Sequence, residues 1–159
     1  MLKMSKDEIF KDKLAAAGSF TFDENVAGVF PDMLQRSIPG YAMTLEAIGA
    51  LAARYVAAGT RCYDLGCSLG AATLAMRRHI RETGCEIHAV DQADAMVRRC
   101  REIVARDESP TPVFVDAADV RDVEIRNASM VVMNYTLQFL PTGDRDALIR
   151  RIHDGMTEG

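Results

Sequence analysis

One glycine-rich turn constrains this chain more than any other feature. The run Asp64-Leu65-Gly66-Cys67-Ser68-Leu69-Gly70 follows a strand-like stretch and opens a helix-like one. That strand–turn–helix context is what gives a glycine motif structural meaning. Gly66 permits a tight turn with positive φ, and Gly70 lets the helix approach the strand closely. A chain with such a turn must place a strand's C-terminal end beside a helix's N-terminal end, which points to a layered α/β fold.

The remaining pattern agrees. Strands are expected over 61–66, 86–91, 113–116 and 129–134. The fourth is apolar on both faces, as a buried parallel strand is. Helices are expected over 41–57, 69–82 and 94–106, and a last one is marked by Leu148, Ile149, Ile152 and Met156. Leu45, Ile48, Leu51, Ala52 and Tyr55 repeat at helical spacing, as do Leu69, Thr73, Met76 and Ile80. Pro39 precedes the first of these helices, Gly59 and Gly84 stop two of them, and Asp94 is the expected N-cap of the third. Strands alternating with helices predict a Rossmann-like parallel sheet with helices on both faces. Residues 1–58 read as a helical N-terminal cap, led in by a polar helix over the first 18 residues; 59–159 read as the sheet-bearing part of the same domain. The chain ends where a helix should hand over to a fifth strand, so the fold is expected to be incomplete at its C-terminus.

Four features gather at the C-terminal ends of the expected strands, where open α/β sheets bind ligands. The first is the glycine turn itself, whose D-x-G-x-S-x-G spacing differs from the dinucleotide G-x-G-x-x-G. It leaves room for an adenosyl-amino acid beside the backbone in place of a pyrophosphate. The second is Asp91 at the end of strand two, with Gln92 beside it. Two carboxylate oxygens match the two vicinal donors of a ribose, although an acid at a strand end also serves as a helix cap. The third is Asp119-Val120 after strand three, an acceptor for an adenine amine next to a backbone donor for a ring nitrogen. The fourth is Asn134, at the end of strand four and followed by Tyr135 to Leu140.

Composition narrows the partners. The formal net charge is -4, which argues against direct nucleic-acid binding, since that leaves a basic footprint. The arginine groups Arg77, Arg78 and Arg81, Arg98, Arg99 and Arg101, and Arg150 and Arg151 read as solvated helix faces. Cys62, Cys67, Cys85 and Cys100 have no C-x-x-C or Cys/His spacing, so no metal site is expected, and free thiols point to a reducing, cytoplasmic setting. No apolar run approaches the roughly 18 residues that span a bilayer. His79, His88 and His153 are read as structural, and Cys67 lacks an activating histidine.

The strings FTFDENVAGVFPDMLQRSIPGY, YDLGCSLGAATLAMRR and NASMVVMNYTLQFL resemble the carboxy-S-adenosyl-L-methionine synthases, within the S-adenosylmethionine-dependent methyltransferase-like superfamily. The first string is what generic methyltransferases lack. The resemblance implies conversion of S-adenosyl-L-methionine and prephenate to carboxy-S-adenosyl-L-methionine and phenylpyruvate, for modification of a tRNA wobble uridine. It implies that Tyr41 contacts the amino-acid or carboxyl end of the ligand, and that Gly66, Cys67 and Ser68 line it with backbone. Asp91 and Gln92 then hold ribose and adenine, Asp119 and Val120 read the adenine, and Asn134 sits by the sulfonium. Tyr41 and Asn134 are the catalytic candidates. A homodimer, delivery of product to a tRNA carboxymethyltransferase, and no metal or membrane are implied as well. The family continues past Gly159 with further strands and a carboxylate-clamping arginine, so the resemblance implies a C-terminally truncated chain, inactive or unstable alone. Gln92 stands where the family carries Asn, and Ala118 where it carries Gly. An ordinary S-adenosylmethionine-dependent methyltransferase, or a non-catalytic S-adenosylmethionine-binding remnant, shares most of these residues.

Overall fold

A computed structural model describes residues 24–158, with side chains from residue 31 onward. The lead-in helix expected over the first 18 residues, and the aromatic positions Phe20 and Phe22, lie outside the described residues. The described chain runs α1 (Glu24–Ser37), α2 (Tyr41–Tyr55), β1 (Arg61–Leu65), α3 (Ala71–His79), β2 (Glu86–Asp91), α4 (Asp94–Val104), β3 (Val113–Ala117), β4 (Ala128–Val132), a single 3-10 turn (Leu137–Phe139) and α5 (Thr142–Gly155).

The four strands form one parallel sheet in the order β3-β2-β1-β4. The chain starts at the centre, steps outward twice, and then returns to the other side of β1. That reversal creates a crevice above the C-terminal ends of β1 and β4. In register, Leu65 stands opposite Val90 and Asp91 opposite Ala117, so the ends of β1, β2 and β3 lie along one rim. Past α5, Met156 bridges to Ala128 in parallel, and the Thr157 N–H donates to the Ala128 carbonyl at 2.9 Å. The chain beyond α5 thus runs along the edge of β4.

Successive strand residues face opposite sides. On β1, Cys62 packs with Ile48 and Ala52 of α2 and with Ala72 and Met76 of α3. Tyr63 and Leu65 pack on the other side with Leu148 and Ile152 of α5 and with Val120 and Ile125 of the β3–β4 connection. α4 covers Ala89 and Val115 with Val97, Cys100 and Val104. Asp64 shares the Cys62 face, which turns its carboxyl under α3.

Several boundaries differ from the sequence expectation. α3 begins at Ala71, not Leu69, because Gly70 takes a left-handed φ of 81° and Leu69 stays in the turn; it ends at His79 because Ile80 is extended. α4 stops at Val104, with Arg106 in the following turn, and its N-cap is Ala93, not Asp94. α2 ends at Tyr55, where Val56 turns extended. β4 ends at Val132, leaving Met133 and Asn134 outside the ladder. Leu51 and Tyr55 of α2 are exposed, as are Ile149 of α5 and Met156 beyond it, so these are not core positions.

Arg78, Arg81, Arg98, Arg101 and Arg150 are exposed, as expected of solvated helix faces, but Arg77 is not, and Arg77, Arg101 and Arg151 also bind backbone carbonyls. Arg77 is nearly buried; it donates to the carbonyls of Thr111, Val104 and Asp107 at 2.8–3.0 Å and closes the end of α4. Arg101 places two donors on the Val115 carbonyl of the edge strand β3. Arg151 reaches the Val120 carbonyl at 3.3 Å. These guanidiniums satisfy backbone groups that would otherwise be orphaned near the core. The histidines also divide. His79 lies against Gly49 and bonds the Ala75 carbonyl, and His88 stacks between Tyr63 and Phe114. His153, in the last turn of α5, is almost fully exposed and pairs with Asp154. All four cysteines are unpaired and buried, and among the described residues no helix is long and apolar enough to cross a membrane.

Candidate functional site

The turn after β1 is built from left-handed residues: Gly66 (φ 84°), Ser68 (φ 50°) and Gly70 (φ 81°). Only glycine takes this conformation freely, so Ser68 is a strained residue at the centre of the loop. What holds it is the end of β2. Gly66 and Cys67 both donate their N–H groups to the Val90 carbonyl, at 2.8 and 2.9 Å. The Ser68 N–H donates to Asp91 Oδ2 at 2.8 Å, and the Gly70 N–H turns back to the Cys67 carbonyl. These donors are committed within the fold, whereas a pyrophosphate cradle needs them aimed at the ligand.

Asp91 connects the two strand ends. One oxygen holds Ser68; the other accepts the Ala93 N–H at 2.9 Å, at the entry to α4. The capping role of an acid at a strand end is therefore present, together with a tie to the glycine turn. Two accepted bonds leave lone pairs on both oxygens. Gln92 lies exposed in the bend that follows. The Ala118 N–H donates to the Asp91 carbonyl at 3.1 Å, which brings the β3 loop alongside. One residue on, Asp119 is gripped by Arg121, whose Nη2 donates to Oδ2 at 2.6 Å and whose Nε donates to Oδ1 at 3.0 Å. That guanidinium holds the Asp119 carboxyl below its usual range, and its Nη1 reaches Asp144. Asp119 thus stands at the rim, ion-paired to Arg121. The Val120 side chain is buried in the core beneath.

At the other end of the crevice, Tyr41 opens α2 just after Gly40, itself left-handed at φ 76°. Tyr41 is buried, and its phenol is pushed up by burial, by Asp64 and by Tyr135. The Tyr41 and Tyr135 ring centroids are 6.3 Å apart. Asn134, two residues past the end of β4, is half-buried. The loop it begins is locked onto the glycine turn: a Cβ added at Gly66 would stand 2.5 Å from Thr136 Cγ2 and 2.9 Å from its Cβ, with Oγ1 nearer still.

Three residues of this arrangement have roles that the sequence does not make evident: Thr73, Tyr135 and Thr136. Asp64 is wholly buried and accepts the Thr73 hydroxyl at 2.6 Å; burial pushes its carboxyl up to about 6, against the Thr73 hydrogen bonds. In the sequence Thr73 is only a member of a helical face; the available signal is a hydroxyl nine residues after an acid that faces the same helix. Thr136 and Tyr135 are, in the sequence, only the residues that follow Asn134. Cys67, by contrast, sends its side chain down toward Cys100 and α4, and contact with Cys100 and burial raise its thiol far above the ordinary range. It is no nucleophile.

The methyltransferase-domain family profile matches residues 63–159, which runs from inside β1 across the whole of this rim. The chain belongs to the methyltransferase-domain family. Within it, the chain is 56% identical over 154 residues to a protein from Citrifermentans bemidjiense named carboxy-S-adenosyl-L-methionine synthase, covering 96% of this chain and 63% of that protein. A Vibrio campbellii protein of the same name is 55% identical over 157 residues, covering 99% and 64%. The chain therefore spans somewhat under two thirds of the length of these curated relatives. The methyltransferase fold extends to a solved structure of a putative S-adenosyl-L-methionine-dependent methyltransferase from Methanococcus maripaludis. Its TM-score is 0.66 at 18% identity, covering 87% of this chain and 62% of that one. The methyltransferase-domain match, the parallel sheet and its helices agree on a Rossmann-like fold.

Proposed function

We propose that this chain carries the S-adenosylmethionine site of a carboxy-S-adenosyl-L-methionine synthase. The observation that carries the reading is Asp91, whose carboxylate is fixed to the glycine turn through Ser68 at 2.8 Å. A ribose diol fits the lone pairs that remain on its two oxygens. With ribose at Asp91, the adenine lies toward Asp119 and Val120, with Gln92 at its edge, and Arg121 shares Asp119 with it. The backbone of Gly66, Cys67 and Ser68 lines the ligand from below. The methionyl half then extends over β1 and β4 toward Tyr41 and Asn134. The names of the relatives, at 55–56% identity, support carboxy-S-adenosylmethionine as the product over a methylated acceptor.

In this reading prephenate is the second substrate. Its ring carboxylate leaves as carbon dioxide and its ring hydroxyl as hydroxide, which yields phenylpyruvate. The sulfonium methyl gives up one proton, which forms water with that hydroxide, and the ylide carbon bonds to the carbon dioxide. The positive sulfur makes the methyl acidic, so the protein's task is positioning and exclusion of water. Tyr41 and Asn134 flank the reacting end. The product passes to a tRNA carboxymethyltransferase, which suits a net charge of -4 on a protein that does not itself hold RNA. A homodimer in the cytoplasm completes the proposal.

The test is incubation with S-adenosylmethionine and prephenate, followed by mass spectrometry of the nucleoside. A gain of one carboxyl group, together with phenylpyruvate, supports the synthase. Methyl transfer to an added acceptor would make the protein an ordinary methyltransferase. Binding of S-adenosylmethionine without either product would make this chain a binding remnant.

A further inference from the structure

The loop after β4 holds an aromatic residue in a conformation aromatics avoid. Tyr135 has φ 60°, a left-handed backbone that is an outlier for any bulky side chain. Such strain persists where the surroundings over-determine it, and it gathers at ligand sites. Two neighbours impose it here. Asn134 leaves the sheet at the rim, and Thr136 is wedged onto Gly66. Between these anchors, the turn aims the Tyr135 ring across the crevice at Tyr41, with centroids 6.3 Å apart and planes 34° apart. Tyr135 remains partly exposed, while Tyr41 is buried behind it. The Asp64 carboxyl is close enough to act on the Tyr41 phenol.

Topology says which part of a ligand meets this wall. The order β3-β2-β1-β4 puts Asp91 and Asp119 on the β2 and β3 side. A ligand held there by its adenosine must send its other half over β1 and β4, where the two tyrosines stand. The ring faces make that end complementary to positive charge, because an aromatic face attracts a cation. A separation of 6.3 Å is too narrow for a group to be sandwiched between parallel rings, so the pair forms one continuous surface instead of a slot.

We infer that Tyr135 is a specificity-determining residue: its ring, set by the left-handed turn and backed by Tyr41, forms the wall that favours the sulfonium cation over a neutral thioether. The inference rests on the adenosyl reading of the site. S-adenosylmethionine carries the cation, and S-adenosylhomocysteine is the same molecule without it, so the ratio of their affinities isolates the wall from everything that holds adenosine.

Calorimetry with both compounds on the wild-type chain, Tyr135→Gly and Tyr135→Phe provides the test. Glycine adopts the left-handed turn without strain, so Tyr135→Gly keeps the loop and deletes only the ring. It is expected to weaken S-adenosylmethionine about fivefold, the size of a partly exposed cation–π contact, and to leave S-adenosylhomocysteine unchanged. Tyr135→Phe keeps the ring face and should keep the wild-type ratio. Equal weakening of both compounds by Tyr135→Gly, or no change in the ratio, would overturn the inference while sparing the adenosyl site. Loss of the ratio in Tyr135→Phe would also overturn it, by assigning the effect to the hydroxyl. A wild-type chain that binds neither compound would remove the adenosyl reading and this inference together.

Discussion

Replacing Gly66 by alanine tests how the glycine turn and the β4 loop are joined. Two costs add. Alanine at φ 84° pays the left-handed penalty of about 1–2 kcal/mol. Its Cβ also lands 2.5 Å from Thr136 Cγ2 and 2.9 Å from Thr136 Cβ. Thr136 is short and branched and cannot swing clear, so the loop must shift, at the cost of about 1–3 kcal/mol typical of overpacking. The expected destabilisation is about 2–5 kcal/mol, a large share of the roughly 5–15 kcal/mol that holds an average domain. A double-mutant cycle separates the two parts. In a Thr136→Gly background the steric part vanishes and Gly66→Ala should cost only about 1–2 kcal/mol. Urea unfolding followed by circular dichroism measures all four proteins. A Gly66→Ala cost under about 1 kcal/mol, or a cost unchanged in the Thr136→Gly background, would refute the packing argument.

Further expectations concern the core beneath the site. Burial raises the Asp64 carboxyl to about 6 in the folded chain, above its unfolded value, so its contribution favours the fold at low pH and is lost as pH rises through about 6. Asp64→Asn should therefore gain on the wild type by a few kcal/mol between pH 4 and pH 7, read as the difference in urea midpoints without ligand; a pH-independent difference would contradict it. Arg77→Met should cost about 2–4 kcal/mol, because the Thr111, Val104 and Asp107 carbonyls lose a buried charged donor. Arg77→Lys should recover less than half of that loss, since one ammonium cannot reproduce the fork; full recovery in thermal melts would count against the geometry.

Element type was readable where periodicity and punctuation agreed. β2 lies over 86–91 as expected, because alternating apolar residues end at an acid that both caps a helix and grips a turn. Boundaries were not readable where a backbone conformation decided them. Nothing in the residue types says that Leu69 stays in the turn while Gly70 goes left-handed and α3 waits for Ala71. Arg77 looked like a solvated charge because sequence does not show that three carbonyls from the end of α4 and the loop beyond converge on it. At the candidate site, the placement of Gly66, Asp91 and Asn134 at or just past strand ends was legible from the strand pattern, while their roles toward a ligand belong to the proposal. Thr73 was not, since its role depends on which face of β1 carries Asp64. Tyr135 was not either, since its importance lies in a φ angle and a ring contact across the crevice.

In the proposed site the glycine turn, Asp91 and the β3 loop hold one adenosyl group. A crystal structure of the chain with S-adenosylhomocysteine tests it most directly. Both ribose hydroxyls should lie within hydrogen-bond distance of Asp91, the adenine beside Asp119 and Val120, and the sulfur above β1 and β4 facing Tyr41 and Tyr135. Density for the nucleoside on the opposite face of the sheet, or a ribose that leaves Asp91 bonded only to Ser68 and Ala93, would contradict it.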